Sequence, residues 1–196
     1  RPELDRWIVS ELNTLIAEVT IALDGYEPDR AARSAERFVE YLSNWYVRRS
    51  RRRFWKSGEL GGSDGAADED KLSAYATLYE CLVTTTCLLA PFIPFTAEAM
   101  YQNLARSTDG RVESVHLEAF PVSDPSKIDA NLSDATRLAM RLSSLGRAAR
   151  SKAGIKVRQP VQQVLVKLRS QEEAELLHQI APQVQDELNV KVVVPL

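Results

Sequence analysis

The sequence is poor in the side chains that usually perform chemistry. Its 196 residues include two histidines, two cysteines and two methionines. With only His116 and His178 as imidazoles, acid–base catalysis has few candidates. No Ser/His/Asp set, metal-ligand cluster or glycine-rich phosphate loop is visible, so no catalytic and no metal-ligating residue is assigned. Cys81 and Cys87 sit on one helical pattern, are a poor disulfide pair and lack metal-ligand spacing. They read as buried free thiols of a cytosolic protein. No apolar run approaches the roughly 18 residues of a membrane span, and no signal peptide is visible. A membrane partner is therefore not expected. The chain opens Arg1-Pro2 without a methionine, which suggests a piece of a longer protein.

Acid is also missing from two stretches, and there the absence is informative. Asn44–Lys56 holds five arginines and a lysine, with Trp45, Tyr46, Phe54 and Trp55 among them. Arg141–Gln159 holds Arg141, Arg147, Arg150, Lys152, Lys156 and Arg158. The net charge is only −2, yet these two stretches leave 13 basic against 27 acidic residues elsewhere. Two basic patches on an acidic body predict one polyanion-facing surface.

Nothing between Asp29 and Ser57 breaks a helix. The spacing predicts one helix of about 29 residues, roughly 43 Å long. Ala35, Phe38, Val39 and Leu42 form its core stripe in the first half. In the second half Trp45, Arg48, Arg49, Arg52, Arg53 and Lys56 occupy an overlapping arc. No acid sits at i±4 to pair those arginines. Burying unpaired cations is costly, so this arc is expected to leave the bundle and face an anion. Guanidinium forks match phosphates, and the rings of Trp45 and Trp55 suit stacking on unpaired bases. The alternative is a solvated charge run with both tryptophans tucked under neighbouring helices.

Around this element the chain reads as a helical bundle. Leu4, Ile8, Leu12, Leu15, Ile16, Val19 and Leu23 make a first amphipathic helix, stopped at Asp24-Gly25. Glu59–Asp70, with three glycines and five acids, reads as a mobile loop. Leu72–Ala90 is a third helix with Tyr75, Leu78, Tyr79, Leu82, Val83, Thr86 and Leu89 inward. Pro91 to Phe95 ends it. A fourth helix spans about Thr96–Ala105, turning Ala97, Met100, Tyr101 and Leu104 inward. Ser114–Leu117 is a short extended piece, with His116 read as structural. Leu132–Ala153 is a fifth helix whose stripe is Leu132, Leu138, Leu142, Leu145 and Ala149. Gly154 caps it. Arg147, Arg150 and Lys152 in its last turns suit the helix dipole, whereas Lys156 and Arg158 lie beyond that explanation. Val161–Leu168, Gln171–Glu187 and Asn189–Val194 read as strand, helix and strand, paired in parallel. The fold class is thus mainly α: a bundle over residues 1–160 with an α/β appendage beginning at 161–196.

Several segments in order resemble one family. They are Leu4-Asp5-Arg6-Trp7-Ile8, Ser43 to Trp55, Ala90-Pro91-Phe92-Ile93-Pro94-Phe95, Ser114-Val115-His116-Leu117, Lys156-Val157-Arg158-Gln159-Pro160 and Glu187-Leu188-Asn189-Val190-Lys191. Together they resemble the anticodon-binding region of class I aminoacyl-tRNA synthetases, and within that class the isoleucyl branch. The Asn44–Trp55 run is the specific part; the Ala-Pro-Phe-x-Pro-Phe motif is shared with the valyl and leucyl branches. The resemblance implies an α-helical bundle that binds the anticodon stem-loop of isoleucine tRNA. It implies a catalytic domain elsewhere in the parent chain, a cytoplasmic setting and no DNA partner. The adenylation motifs His-Ile-Gly-His and Lys-Met-Ser-Lys-Ser are absent here. A domain of this kind binds without catalysing and needs no cofactor; ATP and Mg²⁺ are implied for the full-length ligase. The residues expected at the tRNA are Trp45, Arg48, Arg49, Arg52, Arg53, Trp55, Lys56, Lys152, Lys156 and Arg158. Two other readings remain: the corresponding domain of a valyl or leucyl enzyme, or a helical protein-interaction module with a basic docking helix.

Overall fold

The computed structural model describes residues 1–55, 65–105 and 112–196, with backbone alone at 65–67. Its contacts group the chain into two units, Arg1–Ile128 and Asp129–Leu196.

The first unit is helical and is built around α1 (Glu3–Asp24). The expected stripe is there, but burial runs almost all round the helix and takes in Asp5, Glu11 and Asn13. Trp7 is completely buried. α2 (Pro28–Tyr41) opens on a proline, whose missing N–H costs nothing in a first turn. Ala31, Ala35 and Phe38 fill its inner face, whereas Val39 is exposed.

The long helix is not uniform. A π-helical stretch at Leu42–Val47 separates α2 from α3 (Arg48–Trp55). A π turn closes i→i+5 bonds and holds more residues than an α turn. Side chains beyond it lag behind a steady step of 100° per residue. That lag is why neighbouring Trp45 and Tyr46 are both buried, and why the arc drawn from a uniform helix misplaces some arginines.

α4 spans Gly65–Leu89 and so begins before Leu72. Part of the expected acidic loop is therefore helix, and an acid in its first turn, Asp68, suits the positive end of the dipole. The rest of that loop, residues 59–64, lies outside the described residues, as does Lys56. The buried face of α4 carries Ala74, Thr77, Cys81, Val83, Thr85, Thr86 and Leu88, while Tyr75 and Tyr79 are exposed. Asp68–Leu89 is long and apolar enough, by length and composition, to cross a membrane, contrary to the sequence expectation. Its packing on α1, α3 and α5 marks it as a core helix. α5 (Pro94–Leu104) buries Ala97 and Tyr101 against Val83, Ala90 and Val115. Ser114–Leu117, expected to be extended, contains a 3₁₀ turn at Val115–Leu117. Glu98 holds that turn by accepting from the Val115 N–H at 3.0 Å and the Ser114 hydroxyl at 2.9 Å. His116 is exposed.

The second unit is α6 (Ala130–Lys152), β1 (Val161–Val166), α7 (Gln171–Leu188) and β2 (Val190–Pro195). The strands pair in parallel, Val161 opposite Val190 and Val166 opposite Pro195. α6 groups with this unit because it packs on α7. Asp129 caps α6 by accepting from the Leu132 N–H at 3.0 Å. Leu132, Leu138 and Leu142 are buried as expected, but Leu145 and Ala149 are not. Gly154 follows the helix at φ +69°, the left-handed conformation that glycine adopts without strain. α7 accommodates Pro182 inside the helix.

α6 comes close to Leu188 of α7 at Gly146. A Cβ there would meet both methyls of Leu188, one of them at 2.7 Å. Leu188 is buried and has little room to retreat. Gly146→Ala is expected to cost about 1–3 kcal/mol by overpacking. Urea unfolding of this variant checks it; an unchanged midpoint would mean that α7 shifts freely.

Candidate nucleic-acid interface

The first basic cluster divides into an inner and an outer set. Asp5 is completely buried, on the same stripe of α1 as Val9, Leu12 and Ile16. Its carboxylate accepts a fork from Arg53: Nη1 to Oδ1 at 2.6 Å and Nη2 to Oδ2 at 2.8 Å. Tyr46 Oη donates to Oδ1 at 2.9 Å and Ser73 Oγ to Oδ2 at 2.7 Å. Arg53 also donates from Nε to Asp70 Oδ1 at 2.9 Å and from Nη2 to the Asp70 carbonyl at 3.1 Å. One carboxylate thus ties α1, the π turn, α3 and α4 together.

Burial pushes the Asp5 carboxyl up. The hydrogen bonds from Arg53, Ser73 and Tyr46, with the charge of Arg53, outweigh that and hold it below its ordinary value. The hydrogen bond to Asp5 raises Arg53 further and keeps it charged. Burial, and then the Asp5 charge, raise the Tyr46 hydroxyl and keep it a donor.

Trp45 is 3% exposed, with the guanidinium carbons of Arg48 and Arg49 at 5.5 and 5.2 Å from its ring centre. Both lie within cation–π range. Trp45 is therefore a floor beneath two arginines and not an open stacking face. Arg48 also donates from Nε to the Asn44 carbonyl at 2.9 Å. Trp55 is the opposite case, 72% exposed with Arg51 at 5.8 Å from its ring. Arg51 and Arg52 are exposed.

The outer set is thus Arg48, Arg49, Arg51, Arg52 and Trp55, and the inner set is Trp45 and Arg53. Sequence reasoning missed Asp5 as the anchor, although an acid in line with an apolar stripe was a usable signal. It also passed over Arg51, which lies off the arc drawn for a uniform helix.

The second cluster divides in the same way. Arg141 pairs with Glu173, and Arg147 pairs with Glu187 at 2.9 Å. Arg150 is buried and donates to the carbonyls of Lys156, at 2.7 Å, and Gln159. Asn189, at φ +50°, donates to the carbonyls of Val157 and Arg158 at 3.2 and 3.0 Å. Arg150 and Asn189 therefore shape the 156–159 loop from within. Lys152, Lys156 and Arg158 are left exposed.

The arrangement is one for binding a polyanion: phosphate-matching cations and an exposed indole on a backbone fixed by buried ion pairs. Residues 5–166 match the family described as the anticodon-binding domain of tRNA ligase, and the chain belongs to that family. Among its relatives, the isoleucine–tRNA ligase of Dehalococcoides mccartyi is 58% identical over 191 residues, covering 97% of this chain and 18% of that protein. The isoleucine–tRNA ligase of Thermus thermophilus is 46% identical over 193 residues, 97% of this chain and 18% of its own. That of Thermobifida fusca is 47% identical over 196 residues, 100% of this chain and 17% of its own. The chain spans less than a fifth of the length of these curated relatives.

Proposed function

We propose that this chain is the tRNA-reading domain of an isoleucine–tRNA ligase, and that it binds the anticodon stem-loop of isoleucine tRNA. The exposed Trp55, with Arg51 at its ring on an acid-free helix end, carries the reading. An indole offers a stacking face to an unpaired base, and the adjoining arginines offer forks to its phosphates. Arg48, Arg49, Arg52 and Lys56 extend this contact, and Lys152, Lys156 and Arg158 supply a second one. Trp45 and Arg53 belong to the same site as its support. The choice of isoleucine rests on the relatives, which are isoleucine–tRNA ligases. In the parent protein a separate catalytic domain joins isoleucine to tRNA with ATP and Mg²⁺, in the cytoplasm.

Titration of the chain with the isoleucine stem-loop across a salt series tests this. Affinity is expected to fall as salt rises, and valine and leucine stem-loops to compete less well. Lys156→Ala should weaken all three loops alike and reduce the salt slope by roughly 0.7, the share of one single-strand phosphate contact. Binding that ignores salt would overturn the reading, and equal competition by all three loops would overturn the choice of isoleucine.

A further inference from the structure

The loop between α6 and β1 has four successive carbonyls, those of Lys156, Val157, Arg158 and Gln159, held by two side chains. Arg150 Nη2 donates to Lys156 at 2.7 Å and to Gln159, and Asn189 Nδ2 donates to Val157 at 3.2 Å and to Arg158 at 3.0 Å. Each of these nitrogens carries two protons, so both are used in full. Arg150 is fixed on α6 and Asn189 between α7 and β2, so two separate elements hold the loop. The Asn189 carbonyl adds a third tie by accepting from the Val161 N–H at 3.1 Å, where the loop enters β1.

A trans peptide is planar, with its C=O and N–H pointing opposite ways. No described peptide bond is cis. Carbonyls held inward therefore turn the N–H groups of the following residues outward. Gln159 closes the turn by donating its N–H to the Lys156 carbonyl at 3.0 Å, and Pro160 has no N–H. The N–H groups of Val157 and Arg158 remain, and neither meets an acceptor among the described residues. Successive outward N–H groups make a site for an anion. The same turn carries the exposed Lys156 and Arg158. The charged residues within three positions of Asn189 are Asp186, Glu187 and Lys191, and Glu187 pairs with Arg147. With Lys152 at the end of α6, the charge around the turn stays positive despite Asp186.

We propose that the turn at 156–158 is a phosphate-binding site, in which the N–H groups of Val157 and Arg158 join the Lys156 and Arg158 side chains on one phosphate of the tRNA backbone. Asn189 is its positioning residue, because it holds the two carbonyls that keep the turn facing outward. The proposal rests on the RNA-reading function above and deepens its second contact. A long cationic side chain follows a phosphate over a wide range, whereas a pair of fixed N–H groups accepts it in one place and sets the register of the strand. Losing a hydrogen bond to a charged group is enough to weaken binding about tenfold.

The experiment uses the whole chain and the isoleucine stem-loop. Asn189→Gly removes the amide yet leaves the backbone free to keep φ +50°. It is expected to bind about tenfold more weakly than the parent chain. In that background Lys156→Ala should cost less than about twofold, because the contact is already displaced. A merely structural Asn189 would leave the cost of Lys156→Ala unchanged, and that result would overturn the positioning role. Stem-loops carrying a neutral methylphosphonate at each linkage in turn identify the phosphate. One of them should bind the parent chain about tenfold more weakly yet bind Asn189→Gly no worse than the intact loop does. A second measurement needs no variant. In the NMR spectrum of the parent chain, the Val157 and Arg158 amide protons should move downfield with the intact loop and not with that methylphosphonate. Amide signals that stay in place while the loop binds would overturn the backbone contact, whether or not Asn189→Gly folds. Failure of the parent chain itself to bind would overturn the RNA-reading function. Salt-dependent binding that Arg52→Ala weakens, and that neither Lys156→Ala nor Asn189→Gly weakens, would keep that function and overturn this site.

Discussion

Asp5→Ala is expected to cost about 3 kcal/mol of stability, because it strands the Arg53 guanidinium in a half-buried site. Removing one partner of a buried pair typically costs about 3–5 kcal/mol. The value here belongs at the lower end, since Asp70 still accepts from Arg53. Tyr46 and Ser73 lose their acceptor as well. The pH dependence identifies the source. The folded-state pKa of Asp5 is depressed, so its stabilisation is complete above the unfolded value of about 4 and is lost as pH falls towards the folded one. Asp5→Asn should therefore be less stable than the parent at pH 7, with the difference shrinking as the medium is acidified below about pH 4. Urea unfolding of both proteins at several pH values measures this. Other depressed carboxylates, such as Glu98 and Glu173, are common to both and cancel in the difference. A gap that stays constant into acid would mean that the charge of Asp5 contributes nothing.

Trp45→Ala is expected to be the most destabilising change in the basic helix, at about 3–5 kcal/mol, the usual cost of deleting a core aromatic. Where the variant remains folded, its affinity for the stem-loop should stay within a few-fold of the parent, because the ring is buried. Trp55→Ala should do the reverse. It should leave the urea midpoint nearly unchanged and lower affinity by about 1–3 kcal/mol if one base stacks there. Both quantities are to be measured on both proteins. A Trp45→Ala protein that unfolds normally and fails to bind RNA would move Trp45 back to the surface.

These two residues show how far the sequence could be read. The amphipathic period of α1, the two prolines before α5, Gly154 and the valine-rich pair of late strands all carry local signals, and each produced the expected element. The basic run was equally plain. What sorted its members into inner and outer sets was not local. Arg53 looks unpaired because its partners, Asp5 and Asp70, are 48 and 17 residues away, and intrahelical spacing cannot reveal them. Trp45 and Trp55 both sit among arginines with no acid beside them, and only packing with distant segments buries the first and leaves the second exposed. Tyr75 and Tyr79 were placed inside because aromatic residues at helical spacing usually face a core. Here the threonines and Cys81 of α4 face inward and the phenols face outward. Small side chains allow α4 to pack on α1, a preference that hydrophobicity alone does not express. The start of α4 was missed because glycines and acids signal a loop, although acids also suit the first turn of a helix.

The wide turn at Leu42–Val47 governs how this segment can change length. It holds more residues than a regular helix would between Phe38 and Arg53, and two of them, Ser43 and Asn44, are exposed. Removing one would let the ladder close as ordinary α-helix while Phe38 and Arg53 kept their present facings. Adding one has no such outlet. It would turn every later side chain by about 100°, carrying Arg53 away from Asp5 and a neighbouring arginine into its place. Among homologous domains, length variation here should therefore run towards one residue fewer and not one more.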